Sequence, residues 1–154
     1  MESKLRDIFR FSDCAEKEKW IEKIAEQDWS AAGFLASLLR ENRLFETLGN
    51  GAELYITADG ESLISFAVLS PKDAIEDESL TPWIGFVYTS PEYRGQRESG
   101  KLIDYLGEIA HNQGYEKVYI CTDHVGLYEK YGFIYMENRI DVWGEDSRIY
   151  YKDL

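Results

Sequence analysis

Apolar and polar residues alternate over 5–11 (Leu-Arg-Asp-Ile-Phe-Arg-Phe), the period of two that predicts a first strand. The spacing then lengthens to a helical one. Cys14, Trp20, Ile21 and Ile24 fall on one side of a helix expected over 14–27, with Ser12 or Asp13 as its cap. Phe34, Leu35, Leu38 and Leu39 repeat that spacing over 31–43, where Ser30 can cap. Gly49-Asn50-Gly51 interrupts the pattern. Two β-rich runs follow, Ala52–Ala58 and Ser62–Leu69, separated by Asp59-Gly60, the dipeptide that favours a type I′ hairpin turn. Residues 70–81 form an acidic loop with Pro71, Asp73, Glu76, Asp77 and Glu78, and Trp83–Tyr88 is the next strand. Leu102, Ile103, Leu106, Ile109 and Ala110 share one face of a helix over 98–113, which Gly114 ends as a left-handed cap. Val118–Thr122 reads as a strand, 125–131 as a short helix closed by Gly132, and 133–143 with 148–151 as a last hairpin around Gly144-Glu145-Asp146.

This order predicts an α/β fold: a mixed central β-sheet flanked by helices, in a single domain over 1–154. The crossover from strand 83–88 through helix 98–113 makes strand 118–122 its parallel neighbour. No repeat, low-complexity tract or linker interrupts the chain.

Composition narrows the partners. Hydrophobic residues make up 44% of the chain, an ordinary globular share. The formal net charge is −12, a surface that repels nucleic acid and an anionic membrane leaflet and attracts a cation such as an amine. Cys14 and Cys121 are far apart and fall in no metal-like spacing, so no metal is expected. Two lone thiols, no apolar stretch of bilayer length and an N-terminus unlike a signal peptide predict a cytoplasmic protein.

The most informative stretch is 88–103, Tyr-Thr-Ser-Pro-Glu-Tyr-Arg-Gly-Gln-Arg-Glu-Ser-Gly-Lys-Leu-Ile. A strand passing through a Gly/Ser-containing turn into a helix start leaves several backbone N–H groups unpaired and aimed one way. That is an anion site, most often for phosphate.

Two segments together give a resemblance. Val87-Tyr-Thr-Ser-Pro91-Glu-Tyr93-Arg94-Gly95 precedes a long helix, and Leu127-Tyr128-Glu129-Lys130-Tyr131-Gly132-Phe133 follows the next strand. In this order and spacing the chain resembles the GNAT superfamily of N-acetyltransferases over about 4–154. The resemblance implies acetyl-CoA as co-substrate and direct transfer of its acetyl group to an amine, in a small molecule or a peptide. It implies a pyrophosphate cradle made by Arg94, Gly95, Gln96, Arg97, Ser99 and Gly100, largely through main-chain N–H groups. It implies that the backbone of Phe86, Val87 and Tyr88 pairs with the pantetheine arm and polarises the acetyl carbonyl, and that Tyr128 gives a proton to the departing thiolate.

The chain departs from the family pattern at Arg97, which stands where a small residue is usual. Its N–H donates without strain if φ is negative, and its guanidinium adds charge-assisted pairing to a diphosphate. A position that demands positive φ disfavours arginine. Arg97 therefore also keeps a second reading open, a non-catalytic CoA-binding or regulatory module of the same fold.

Other residues carry two readings each. Asp123-His124 is either a base at a strand end or a helix cap beside an exposed imidazole. Asp73, Glu76, Asp77 and Glu78 either line the acceptor side or face solvent. Gly85 marks a bulge or close approach, or eases a bend. Cys121 packs rather than reacts. The acceptor pocket is expected from the helices within 14–43 and the 70–81 loop. Phe133, Tyr135, Trp143, Tyr150 and Tyr151 in the last hairpin either complete the core or form the face of a homodimer.

Overall fold

The structure, a computed structural model, describes residues 7–154. Its seven-stranded sheet has the order β1-β2-β3-β4-β5-β7-β6. The strands are β1 (Asp7–Arg10), β2 (Glu53–Asp59), β3 (Ser62–Ser70), β4 (Trp83–Thr89), β5 (Lys117–Thr122), β6 (Ile134–Ile140) and β7 (Asp146–Asp153). Helices α1 (Lys17–Ala25), α2 (Ser30–Arg40) and α3 (Leu44–Leu48) lie between β1 and β2, and α4 (Glu98–Asn112) joins β4 to β5. Positions 5 and 6 of the expected first strand lie outside the described residues.

Alternation along β2 and β3 sorts their side chains onto two faces. Leu54, Ile56, Phe66 and Val68 pack with Trp20, Ile21 and Ile24 of α1 and Ala32, Leu35 and Ala36 of α2. Their neighbours Tyr55, Ala67 and Leu69 pack on the opposite side with Leu102, Ile103, Leu106 and Ala110 of α4. Both faces are therefore covered, and the central strands are buried nearly throughout. Each Leu or Ile enclosed in this way contributes about 1.5–3 kcal/mol relative to exposure.

Several boundaries differ from the sequence reading. A 3-10 turn over Phe11–Asp13 delays α1 to Lys17, and Ser12 binds Glu53 of β2 instead of capping it. Trp29, not Ser30, occupies the N-cap of α2. The helix Leu44–Leu48 was not anticipated, because five residues are too few to show a period. β7 inserts between β5 and β6, leaving β6 as an edge strand with Ile134, Tyr135 and Ile140 exposed. No helix among the described residues is long and apolar enough to cross a membrane.

One feature of the sheet creates the site. β4 and β5 are parallel, as expected, but they pair only at Trp83↔Tyr119. Past that pair the strands part, and among the described residues the backbone from Gly85 to Thr89 has no strand partner on its β5 side.

Candidate active site

β4 is bulged where it leaves β5. Val68 faces Gly85 and Phe66 faces Tyr88, so Phe86 and Val87 together oppose Ala67. Phe86 adopts φ +54, left-handed backbone in a bulky residue, which costs on the order of 1–3 kcal/mol and persists only where the surroundings enforce it. Side chains at the bulge divide between two cavities. Val87 and Tyr88 line a groove of about 510 Å³, whereas Phe86 lines a second cavity of about 360 Å³.

The groove is built on the start of α4. Among the described residues, the N–H groups of Gly95, Arg97, Ser99 and Gly100 find no carbonyl within the chain. Four such orphans open every α-helix, and they carry the positive end of its dipole. Thr89 Oγ1 and Ser99 Oγ stand 2.5 Å apart and tie the strand end to the helix start. Arg94 Nε donates to Thr89 O at 2.9 Å, and its guanidinium lies 5.3 Å from the Tyr88 ring centroid. That ring stacks on Trp29 at 5.3 Å and 10°. Glu98 is buried in the first turn, where its carboxylate complements the dipole and its Oε1 lies 3.4 Å from Lys101 Nζ.

Arg97 takes φ +61 at the N-cap of α4. Of the two cases left open for this arginine, the structure has the strained one: the turn demands left-handed geometry, which an L side chain adopts at a cost of about 1–2 kcal/mol. Its guanidinium sits 5.6 Å from the Tyr131 ring centroid, at the groove. Gly100 is a glycine because Tyr131 lies where its side chain would be.

Tyr128 is buried and also lines the groove, and its hydroxyl makes no hydrogen bond among the described residues. Burial, with smaller contributions from Tyr131 and Asp123, pushes the phenol up to about 12, so it holds its proton at neutral pH. Gln96 and Gly100 do not line the groove; Gln96 is exposed and Gly100 is buried against Tyr131. Unmated N–H groups, two guanidinium groups and a glycine-dependent close approach fit a diphosphate ligand.

The second cavity has different chemistry. Trp29, Phe34, Phe86 and Trp143 supply aromatic walls; Asp73, Asp123, Asp141, Glu145 and Asp146 supply carboxylates, and its lining contains no Lys, Arg or His. Of these, Asp141 holds the β6–β7 turn, accepting from the N–H groups of Trp143 and Glu145 and from Ser147 Oγ. Asp73 Oδ1 accepts from the Ala74 N–H at 2.7 Å, and a Cβ at Gly85 would collide with Oδ2. Burial raises this carboxyl to about 6. Gly85 thus admits a close approach, that of Asp73 to β4.

Of the segments expected to form an acceptor pocket, 14–43 contributes Trp29 and Phe34 to this cavity and 70–81 contributes Asp73. The ends of β5 and the β6–β7 turn, which the sequence reading omitted, complete it. Asp123 and His124 do not form a dyad: Asp123 faces the second cavity and His124 the groove, with no hydrogen bond between them among the described residues. Asp77 is held by Ser79 and by Arg139 at 2.6 Å, and Glu76 and Glu78 are exposed. Burial pushes the Cys121 thiol up to about 11, which leaves it protonated and a poor nucleophile. Among the described residues no cluster of His, Cys, Asp and Glu is arranged to hold a metal ion.

A parted pair of central strands, a bulge and a helix N-terminus beside a protonated tyrosine define a class of acyl-transferring domain. The model of the acetyltransferase (GNAT) family matches residues 11–133, and the chain belongs to that family. A GNAT acetyltransferase of Desulfovibrio desulfuricans shares the fold at a TM-score of 0.72 and 15% identity, over 97% of this chain and 99% of that one. An Elizabethkingia anophelis GNAT acetyltransferase, solved with acetyl-CoA bound, gives 0.68 and 19% over 97% and 98%. An aminoglycoside 6'-acetyltransferase type Ii gives 0.68 and 15% over 97% and 96%. No curated protein is a significant match to the chain.

Proposed function

We propose that this single domain transfers an acetyl group from acetyl-CoA directly to an amine, with a small molecule as acceptor. Orphan N–H groups of the α4 start that open on the same groove as Tyr128 carry this reading. Main-chain N–H groups from Gly95 to Gly100, with Arg94 and Arg97, would hold the diphosphate. The unpaired backbone of Phe86, Val87 and Tyr88 would hold the arm and polarise the carbonyl, and Tyr128 would give its proton to sulfur as the thioester breaks. Acetyl-CoA, when bound, supplies the activated acyl group. The relative solved with acetyl-CoA bound supports the donor, and the aminoglycoside acetyltransferase supports a small-molecule acceptor. Cys14 and Cys121, both free, suit a reducing cytoplasm.

Calorimetry with acetyl-CoA, followed by thiol release on adding amines, tests the proposal. Saturable binding and amine-dependent thiol release are expected. Absence of binding overturns it. Binding with release at the water background across all amine classes leaves the non-catalytic CoA-binding module in its place.

A further inference from the structure

From the second cavity we infer that the acceptor is a cationic amine with a flat apolar body, seated among Phe34, Phe86 and Trp143, with Asp73 as the catalytic residue that takes its proton. This deepens the transferase reading and rests on it.

Three observations meet here. First, the cavity and the groove meet at β4, and Trp29 lines both. Phe86 faces one and Val87 the other across a single peptide. An amine in the second cavity thus approaches the strand segment expected to hold the thioester. Second, two exposed aromatic side chains line it. Trp143 is 67% exposed and Phe34 42%, apolar area rimmed by carboxylates, the pattern that marks a ligand-binding groove. A volume of about 360 Å³ suits a ligand of modest size. Aromatic faces attract a cation, and the carboxylate lining repels an anion.

Third, Asp73 stands apart from the other acids. Its Oδ2 accepts no hydrogen bond among the described residues, and it crosses directly over Gly85, one residue before the bulge. The titratable groups facing it are Cys121 of β5, Asp123 just beyond that strand, and Asp141, Glu145 and Asp146 from the hairpin end; on its other side Lys72, Glu76, Asp77 and Glu78 share a cavity with it, and α2 and α3 contribute none. All but Lys72 are acids or a thiol, a setting that draws an ammonium in, while burial holds the Asp73 carboxyl high. A carboxyl that titrates near 6 is ionised at neutral pH and still basic enough to accept a proton in the transition state.

The step balances as follows. An ammonium gives one proton to Asp73, which passes it to solvent. The freed nitrogen lone pair forms the C–N bond to the acetyl carbon, and the C–S pair leaves on sulfur. The second nitrogen proton ends on that sulfur by way of Tyr128.

The test uses acetyl-CoA with tyramine, tryptamine and glutamate as probes, on the full chain and on Asp73→Asn and Trp143→Ala. Tyramine and tryptamine are expected to release thiol with kcat/KM at least about tenfold above glutamate, the separation a few favourable contacts supply. Trp143→Ala should raise KM for tryptamine with kcat nearly kept. Asp73→Asn should lower kcat by about 10²–10⁴-fold, with acetyl-CoA affinity unchanged and the acid limb of kcat/KM near pH 6 gone. Unchanged coenzyme affinity also shows that the variant has folded. Preference for glutamate, silence towards both aryl amines in a coenzyme-binding protein, or an acid limb surviving in Asp73→Asn overturns this inference alone. Failure of the wild type to bind acetyl-CoA removes it together with the transferase reading.

Discussion

The ring of Tyr131 occupies the space that a side chain on Gly100 would need, with its Cε1 2.6 Å from the position of an added Cβ. Gly100 is in the first turn of α4, and Arg97 reaches over the same ring from the N-cap. The helix start, the arginine and the tyrosine are therefore one packed unit.

Gly100→Ala sets two effects against each other. Alanine improves helix propensity by up to about 1 kcal/mol, whereas forcing atoms into filled space costs about 1–3 kcal/mol. The ring yields only by moving into the groove, so the clash prevails. A net loss of about 1 kcal/mol by denaturant unfolding is expected, with weaker acetyl-CoA binding by calorimetry. Unchanged affinity would show that Tyr131 swings away from the groove instead.

Tyr128→Phe removes the only change of chemistry at a buried ring without altering its shape. Turnover should fall by about 10²–10⁴-fold while coenzyme affinity holds. Turnover equal to wild type would take the phenol out of the reaction.

Arg97→Gly separates backbone from charge. Glycine accepts the φ of +61 freely, so stability should rise by about 0.5–1 kcal/mol. Loss of a guanidinium at the groove should weaken acetyl-CoA binding several-fold, and more so at low salt. Higher stability with tighter binding would mean that the side chain obstructs the cradle.

Asp73→Asn should stabilise the protein at neutral pH. The folded carboxyl titrates near 6, against 3.8 in an ordinary setting. Between those values the native state keeps a proton that the unfolded chain has released. Stability therefore falls as pH rises from about 4 to about 6, and the deficit of about 2–3 kcal/mol persists above. The melting temperature of Asp73→Asn should exceed that of wild type at about pH 7.5, and the gap should close below about pH 4. A gap independent of pH would assign the change to packing.

What the sequence disclosed and what it concealed follow from range. The hairpin after Ala58, the face of α4 and the loop at 94–100 are written in neighbouring residues, although the turn is not the expected type I′ on Asp59-Gly60: Asp59 pairs with Ser62 as the last residue of β2 and lacks positive φ, so Gly60-Glu61 make the turn. Tyr128 and the cradle stood out because their spacing is a local signature. Asp73 did not separate from Glu76, Asp77 and Glu78, because its environment comes from Gly85, Cys121 and the β6–β7 turn, all distant in the chain. Trp143 appeared as one more aromatic of the last hairpin. Only the insertion of β7 beside β5 brings it to the cavity. The bulge at Phe86 was hinted at by Gly85, but for a different reason: the glycine makes room for a carboxylate, and the extra residue comes next.

The single rung at Trp83↔Tyr119 has a consequence for the lifetime of the molecule. Two half-sheets that share so little ladder lean on α4 and on whatever bridges the cleft. Acetyl-CoA bound across them, as proposed, would act as a rivet, adding about 2.7 kcal/mol of resistance to unfolding at a hundredfold excess over its dissociation constant. Starved of that coenzyme, the chain would become the better target for proteases, and its abundance would then track the acyl-carrier supply.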